Sequence, residues 1–294
     1  MDGPATEGWR PRATTHGCTA DAWYTTGASH VICEDYAVAT TVTPDCTVAV
    51  VCDGCSSSAD TDIGARLVAR AAVAHMARAL PGTGVHAAGF VDAAAVLRRA
   101  AAAARPLGLP TEALDTTLLA MRVVPNAVDI AVFGDGVVAA RRRDGRVEIW
   151  VVEHPKGAPP YPSYALEPQR HARYLARFGA DFTVRHRGPD NVWTTQTRTT
   201  PPRWTLDPSA FDLVLLGSDG LTAFVGDAPA DETSMEVLAP VRVDAVVGAL
   251  MAVPHLQGRF VARRGRRFMK TAARRGWRGL DDIGLAAIAI GGEA

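Results

Sequence analysis

The chain lacks any run of about 18 or more uncharged apolar residues, which predicts no transmembrane helix. Met1 to Arg12 is polar, with Gly and Pro, and has no apolar core of the kind a secretion signal needs, so the expected location is the cytoplasm. There is no excess of either charge: 31 Lys and Arg balance 31 Asp and Glu, and composition gives no case for bulk nucleic-acid binding. No internal repeat is evident. Cysteine is scarce and odd in number. The five are Cys18, Cys33, Cys46, Cys52 and Cys55, which argues against a disulfide framework in a cytosolic chain. Cys52 and Cys55 form a C-x-x-C, but no second Cys or His pair stands at zinc-like spacing. Two small half-buried side chains at the end of an apolar strand describe that pair better than zinc or redox chemistry. What is present is an ordinary globular composition, 48% apolar and 21% charged over 294 residues, enough for one large domain or two small ones.

After an N-terminal tail and an edge strand near Trp23, the pattern predicts a hairpin. Asp35 to Val42 and Thr47 to Cys52 are its arms, and Thr43-Pro44-Asp45 is its turn. The second arm is nearly all apolar, so both of its faces should be covered. Helices are predicted over Asp60 to Leu80, stopped by Pro81-Gly82, and over Val91 to Ala104. A meander follows, with strands Thr117 to Val123, Val128 to Phe133, Val137 to Arg142 and Val147 to Val152. His154 to Thr205 is rich in Pro, Tyr, Arg and Thr with weak periodicity, and reads as an insertion or flap with little regular structure. Order resumes with a buried strand at Leu213 to Leu216, a helix over Val243 to Val253 and a last strand, Ile283 to Ile290. Hairpins dominate and helices lie between and after two groups of strands. This pattern favours an α+β layered architecture, two antiparallel sheets with helices outside, over a doubly wound parallel sheet. Residues 23–294 are expected to form one domain, with residues 1–22 as tail and edge segment.

Short acidic signals end several of these strands: Glu34-Asp35, Asp53-Gly54, Ser218-Asp219-Gly220 and Asp281-Asp282. Carboxylates beside apolar strands are costly unless something pairs with them, and gathered on one sheet rim they suit hard divalent cations. Folding the first hairpin about residue 44 sets Glu34-Asp35 opposite Asp53-Gly54, and paired strands lie only about 5 Å apart. Asp219 ends one strand and Asp281 precedes another, so antiparallel neighbours would bring them to one edge. The hairpin around residue 125 would bring Asp135 opposite Asp115-Thr116. Gly after Asp53 and after Asp219 would let the backbone turn sharply and let a carbonyl approach a cation.

In their order and spacing, the stretches "ICEDYAVA", "VAVVCDG", "DTTLLA", "VFGDG", "LVLLGSDGL" and "LDDIGLAAIAI" resemble the metal-dependent serine/threonine phosphatases of type 2C. The likeness runs from about residue 23 to 291, the flap excepted. It implies a four-layer αββα sandwich with two Mn²⁺ or Mg²⁺ ions at one end and a phosphorylated protein as substrate. By match, Asp53 would bridge the ions, Asp219 and Asp281 would complete the first, and Glu34 with the carbonyl of Gly54 would hold the second. Asp35 would orient a metal-bound water, and Asp135 matches a ligand of a weak third ion. A metal-bridged hydroxide would then attack phosphorus in line, with no phosphoenzyme. A non-catalytic binding module on the same fold and a small-phosphoester hydrolase are the competing readings. A monomer without nucleic-acid or membrane partners is the working expectation.

The chain also departs from the pattern. His30, in "GASH", stands where many members carry a phosphate-gripping Arg, and is similar to a bacterial subgroup with Gly-x-x-His there. Cys55 replaces a His that some members place after Asp-Gly, and Ala223 replaces a further Asp. Asp282 stands where Asn is commoner, and Asp281 is taken as the ligand of the two. Arg259 to Arg278 is strongly basic with no acid before Asp281, and reads as a solvated helical face, with docking of acidic or phosphorylated partners as the alternative. Tyr161, Tyr164, Trp193 and Trp204 in the flap are read first as loop-packing aromatics, with contact to substrate as the alternative.

Overall fold

The computed structural model describes residues 17–78, 89–227 and 238–291. The tail before Gly17 and the helix stop at Pro81-Gly82 lie outside them. The strands are β1 (Thr19–Thr25), β2 (Tyr36–Thr43), β3 (Cys46–Cys52), β4 (Leu118–Val124), β5 (Ala127–Phe133), β6 (Gly136–Arg142), β7 (Val147–Glu153), β8 (Phe182–Arg187), β9 (Trp193–Arg198), β10 (Arg203–Leu206), β11 (Phe211–Gly217), β12 (Phe224–Asp227), β13 (Leu238–Pro240), β14 (Arg278–Gly279) and β15 (Ile283–Ala289). The helices are α1 (Thr61–Met76), α2 (Ala93–Ala104), α3 (Pro168–Phe178), α4 (Val243–Met251) and α5 (Phe260–Arg274). None of the described helices is long and apolar enough to cross a membrane.

A seven-stranded sheet runs β1-β15-β11-β6-β7-β8-β9, and a five-stranded sheet runs β10-β5-β4-β3-β2. Every pairing in both is antiparallel. The period of two along each strand explains how they stack. Ala49 and Val51 of β3 face inward and meet Val214 and Leu216 of β11 and Ala286 and Ile288 of β15 in a core between the sheets. Val48, Val50 and Cys52 point the other way, beneath Val68, Ala72, Leu97 and Ala100 of α1 and α2. Leu213 and Leu215 of β11 and Leu285 of β15 point outward under Val246 and Leu250 of α4 and Phe260 and Phe268 of α5. The result is the α+β, four-layer αββα arrangement, and the near-continuous apolar runs of β3, β11 and β15 follow from cover on both faces.

Residues 154–205 are more regular than their composition predicts. They hold α3 and three strands, of which β8 and β9 extend the seven-stranded sheet and β10 joins the edge of the other. Sequence periodicity misses them because they offer little apolar surface: Tyr174 alone is buried on α3, and β9 is exposed along all but its first residue. Trp204 tilts against Trp150 at 5.8 Å and Trp193 lies under the Arg185 guanidinium, so both are packing aromatics. The basic stretch is α5 and its exit. It buries Phe260, Val261, Phe268 and Ala272, and turns Arg263, Arg266, Arg267, Lys270 and Arg274 outward.

Candidate metal centre

The registers bring the acidic strand ends to one end of the sandwich. Tyr36 pairs with Cys52, which sets Asp35 beside Asp53. Gly217 pairs with Leu285, so Asp219 and Asp281 leave neighbouring strands on the same edge. Leu118 pairs with Phe133, which carries Asp135 to the same rim. Asp53, Asp135, Asp219 and Asp281 line one cavity of about 410 Å³, with Gly54 and His30 in its wall. The Asp53 loop is clamped by backbone bonds: Thr117 N–H donates to the Asp53 carbonyl at 2.8 Å, and Cys55 N–H donates to the Asp115 carbonyl at 2.8 Å. Asp53 N–H also donates to the Thr117 hydroxyl.

These carboxylates oppose one another. Burial pushes the Asp53, Asp135 and Asp219 carboxyls above their ordinary range, and negative neighbours push further: Asp35 and Asp219 act on Asp53, Asp219 acts on Asp135, and Asp281 acts on Asp219. Asp35 lies beneath them, 1% exposed, with no hydrogen-bond partner at either carboxylate oxygen. Burial first, then the charge of Asp219, pushes it up to about 8. Buried like charges with unpaired oxygens are costly as they stand. Hard divalent cations with oxygen coordination are what this donor set fits.

Beside the cavity, Asp282 holds the loop that carries His30 and Glu34. Its two oxygens accept from the backbone N–H groups of Gly27 at 2.7 Å and Glu34 at 2.6 Å. The His30 ring lies between Asp282 and Asp281, with nitrogens 3.1 and 3.4 Å from their carboxylates. Ligand atoms of His30, Glu34 and Asp282 fall within 4.8 Å of one another. Asp282 is thus occupied by backbone donors, while Asp281 faces the cavity. Glu34 stands outside the cavity lining and accepts from the Thr61 hydroxyl at 3.2 Å.

The two glycines play a different part from the one expected. Neither Gly54 nor Gly220 has a positive φ. Each is needed for room: a Cβ on Gly220 would lie 1.8 Å from the Asp282 carbonyl oxygen, and one on Gly54 would lie 2.8 Å from Thr61 Cβ. Ala223 brings no carboxylate to the rim; its carbonyl instead accepts from Leu280 N–H. All five cysteines are free, and Cys52 is buried.

Of the residues on the opposite wall, sequence reasoning names only Tyr161 and Tyr164, as flap aromatics, and misses Tyr174, Arg177 and Phe178. Tyr161, Tyr164, Tyr174, Arg177 and Phe178 face the carboxylates across the same cavity. They are held there by Asp115, whose buried carboxylate accepts from Arg170 at 2.5 Å, Ser163 at 2.6 Å and Ser58 at 3.0 Å. A buried Asp next to a Thr-Thr pair is the signal in the sequence, but nothing local points to partners about 50 residues away.

The family model for protein phosphatase 2C matches residues 26–251. No curated protein matches the chain by sequence. Among solved structures, a bacterial serine phosphatase is similar at a TM-score of 0.54 and 14% identity, covering 94% of this chain and 98% of its own. The S. agalactiae serine/threonine phosphatase gives 0.52 and 14%, with 93% and 100% covered. The serine/threonine phosphatase Stp1 from Staphylococcus aureus gives 0.51 and 14%, with 99% and 100% covered. With the match spanning most of its length, this chain belongs to the protein phosphatase 2C family. By that family it is a metal-dependent protein phosphatase.

Proposed function

We propose that the cavity at the sandwich end hydrolyses phosphoserine and phosphothreonine monoesters with two Mn²⁺ or Mg²⁺ ions. The observation that carries this is the convergence of Asp53, Asp135, Asp219 and Asp281 on one cavity, above an Asp35 with no partner. In this reading Asp53 would contribute to both ion sites, Asp219 and Asp281 would hold the first ion, and Glu34 and the Gly54 carbonyl would hold the second. Asp135 contributes to a weak third site, which lacks a carboxylate at Ala223. Bound there, such ions acidify a water and neutralise the phosphate oxygens, as so slow a reaction requires.

The chain's own residues do the rest. Asp35 accepts a hydrogen bond from the attacking water and fixes its direction. His30, both of whose ring nitrogens face Asp281 and Asp282, would when protonated place a positive charge at the cavity wall that favours phosphate. With Cys55 where a His acid could stand, the leaving alkoxide takes its proton from solvent within the cavity. Tyr161 and Tyr174 line the same cavity as the carboxylates. Residues 23–294 act together as the catalytic unit.

The test is phosphate release from a phosphothreonine peptide with Mn²⁺, with chelator, and with Asp53→Asn. Turnover that needs both the metal and Asp53 supports the reading. A folded protein that stays inactive in every divalent metal overturns it.

A further inference from the structure

A second cavity, of about 260 Å³, lies behind the tyrosine wall. Tyr161, Tyr164 and Tyr174 line both cavities, so one layer of rings separates the second from the carboxylates. Its lining is otherwise mostly apolar, drawn from Phe133, Leu175 and Phe182 among others, with His154, His171 and Thr199 as polar members. The wall is built rather than incidental. Tyr164 meets Tyr161 edge-on at 5.8 Å and tilts against Tyr174 at 5.9 Å. The Tyr174 hydroxyl donates to the Ala158 carbonyl at 2.9 Å. The Arg170 guanidinium sits 4.8 Å above the Tyr164 ring while it holds Asp115.

We propose that this cavity binds one apolar or aromatic side chain of the substrate protein, within two residues of its phosphorylated Ser or Thr. This deepens the phosphatase reading and rests on it. Three observations select that occupant. The cavity shares a wall of side chains, Tyr161, Tyr164 and Tyr174, with the one proposed to take the phosphate. An extended peptide advances about 3.3 Å per residue, so side chains one or two positions apart are separated by about one ring layer and its contacts. The volume suits a Leu or Phe side chain, and an aromatic lining favours ring contacts with such a group. Leu175 is 39% exposed, an apolar residue left at the mouth of the cavity for a partner to cover.

The test uses the full chain with Mn²⁺ and phosphothreonine peptides bearing Phe, Leu, Ala or Glu at the flanking positions. Both kcat/KM and the Kd of each peptide, by fluorescence anisotropy, are measured. The expected result is a tenfold or larger preference for Phe or Leu over Ala at one flanking position, which collapses toward unity in Leu175→Glu. Turnover without such a preference overturns the subsite and leaves the phosphatase reading standing. Binding preference without turnover keeps the subsite and overturns the phosphatase reading. A preference that survives Leu175→Glu and a second variant, Ala165→Trp, places recognition elsewhere and also overturns the subsite.

Discussion

Arg170 reaches from α3 to the buried carboxylate of Asp115, donating at 2.5 Å, and with its other face covers Tyr164. One guanidinium therefore joins the loop behind Asp53 to the wall facing it. The pair is little exposed, 16% at Arg170 and 2% at Asp115, so removing one partner leaves an uncompensated charge. Arg170→Ala is expected to destabilise the fold by about 3 kcal/mol and to raise KM for a phosphopeptide several-fold while kcat changes less. Denaturant unfolding and a double-mutant cycle with Asp115→Asn check this, with a coupling of about 1–3 kcal/mol expected. Additive effects would show that the two residues act separately.

The same pair shows where sequence reading stops. The strand ends at Asp53, Asp219 and Asp281 are legible because Asp directly beside an apolar run, after it at Asp53 and Asp219 and before it at Asp281, is a local pattern, and antiparallel pairing then fixes which end they share. The expectation of Asp135 on this rim follows from the same logic. The wall of Tyr161, Tyr164 and Tyr174 is not legible in that way. It depends on a polar helix with one buried residue and on a contact spanning 55 positions, neither of which leaves a periodic trace. Nor does a run of letters separate Asp281 from Asp282; the backbone donors around them do.

The crowded carboxylates predict an inversion of stability. Without metal, Asp53 sits among Asp35, Asp135 and Asp219, all of like charge. Asp53→Asn is therefore expected to raise the thermal midpoint of metal-free protein. In wild type, Mn²⁺ at about 100 times its Kd should stabilise by about 2.7 kcal/mol, and in Asp53→Asn that response should be lost. Scanning calorimetry with chelator and with Mn²⁺ measures both. A metal-free Asp53→Asn less stable than wild type would contradict the frustration inferred here.

His154, which lines a small cavity together with Asp135 and Asp219, predicts a pH dependence of its own. It stacks on Phe182 at 4.8 Å, and burial holds its pKa down to about 4, below the ordinary 6.5. Between those values the unfolded chain binds the proton more readily, so stability falls as pH drops. The contribution is fully present above about pH 6.5 and is progressively lost toward pH 4. His154→Phe keeps the stacking surface and removes the titration. The difference in stability between wild type and His154→Phe should shift against wild type from pH 7 to pH 5. An unchanged difference would mean that His154 is solvated in the folded state.

The adjacent aspartates should separate cleanly by what they break. Asp282 accepts from Gly27 and Glu34 backbone N–H groups and is 2% exposed, so Asp282→Ala orphans two donors and frees the loop bearing His30 and Glu34. Charge-assisted bonds of this kind contribute about 1.5–3 kcal/mol each, and a loss of about 3 kcal/mol in unfolding free energy is expected, with Asp282→Asn retaining part of it. Asp281 is more exposed and turns to the cavity. Asp281→Ala should leave stability nearly unchanged in chelator but raise the Mn²⁺ concentration needed for half-maximal activity at least tenfold. Urea unfolding and metal titration of all three variants decide it. If Asp282→Ala instead alters the metal requirement at unchanged stability, the ligand and the loop clasp must exchange places, and the His30–Glu34–Asp282 cluster becomes the second ion's site.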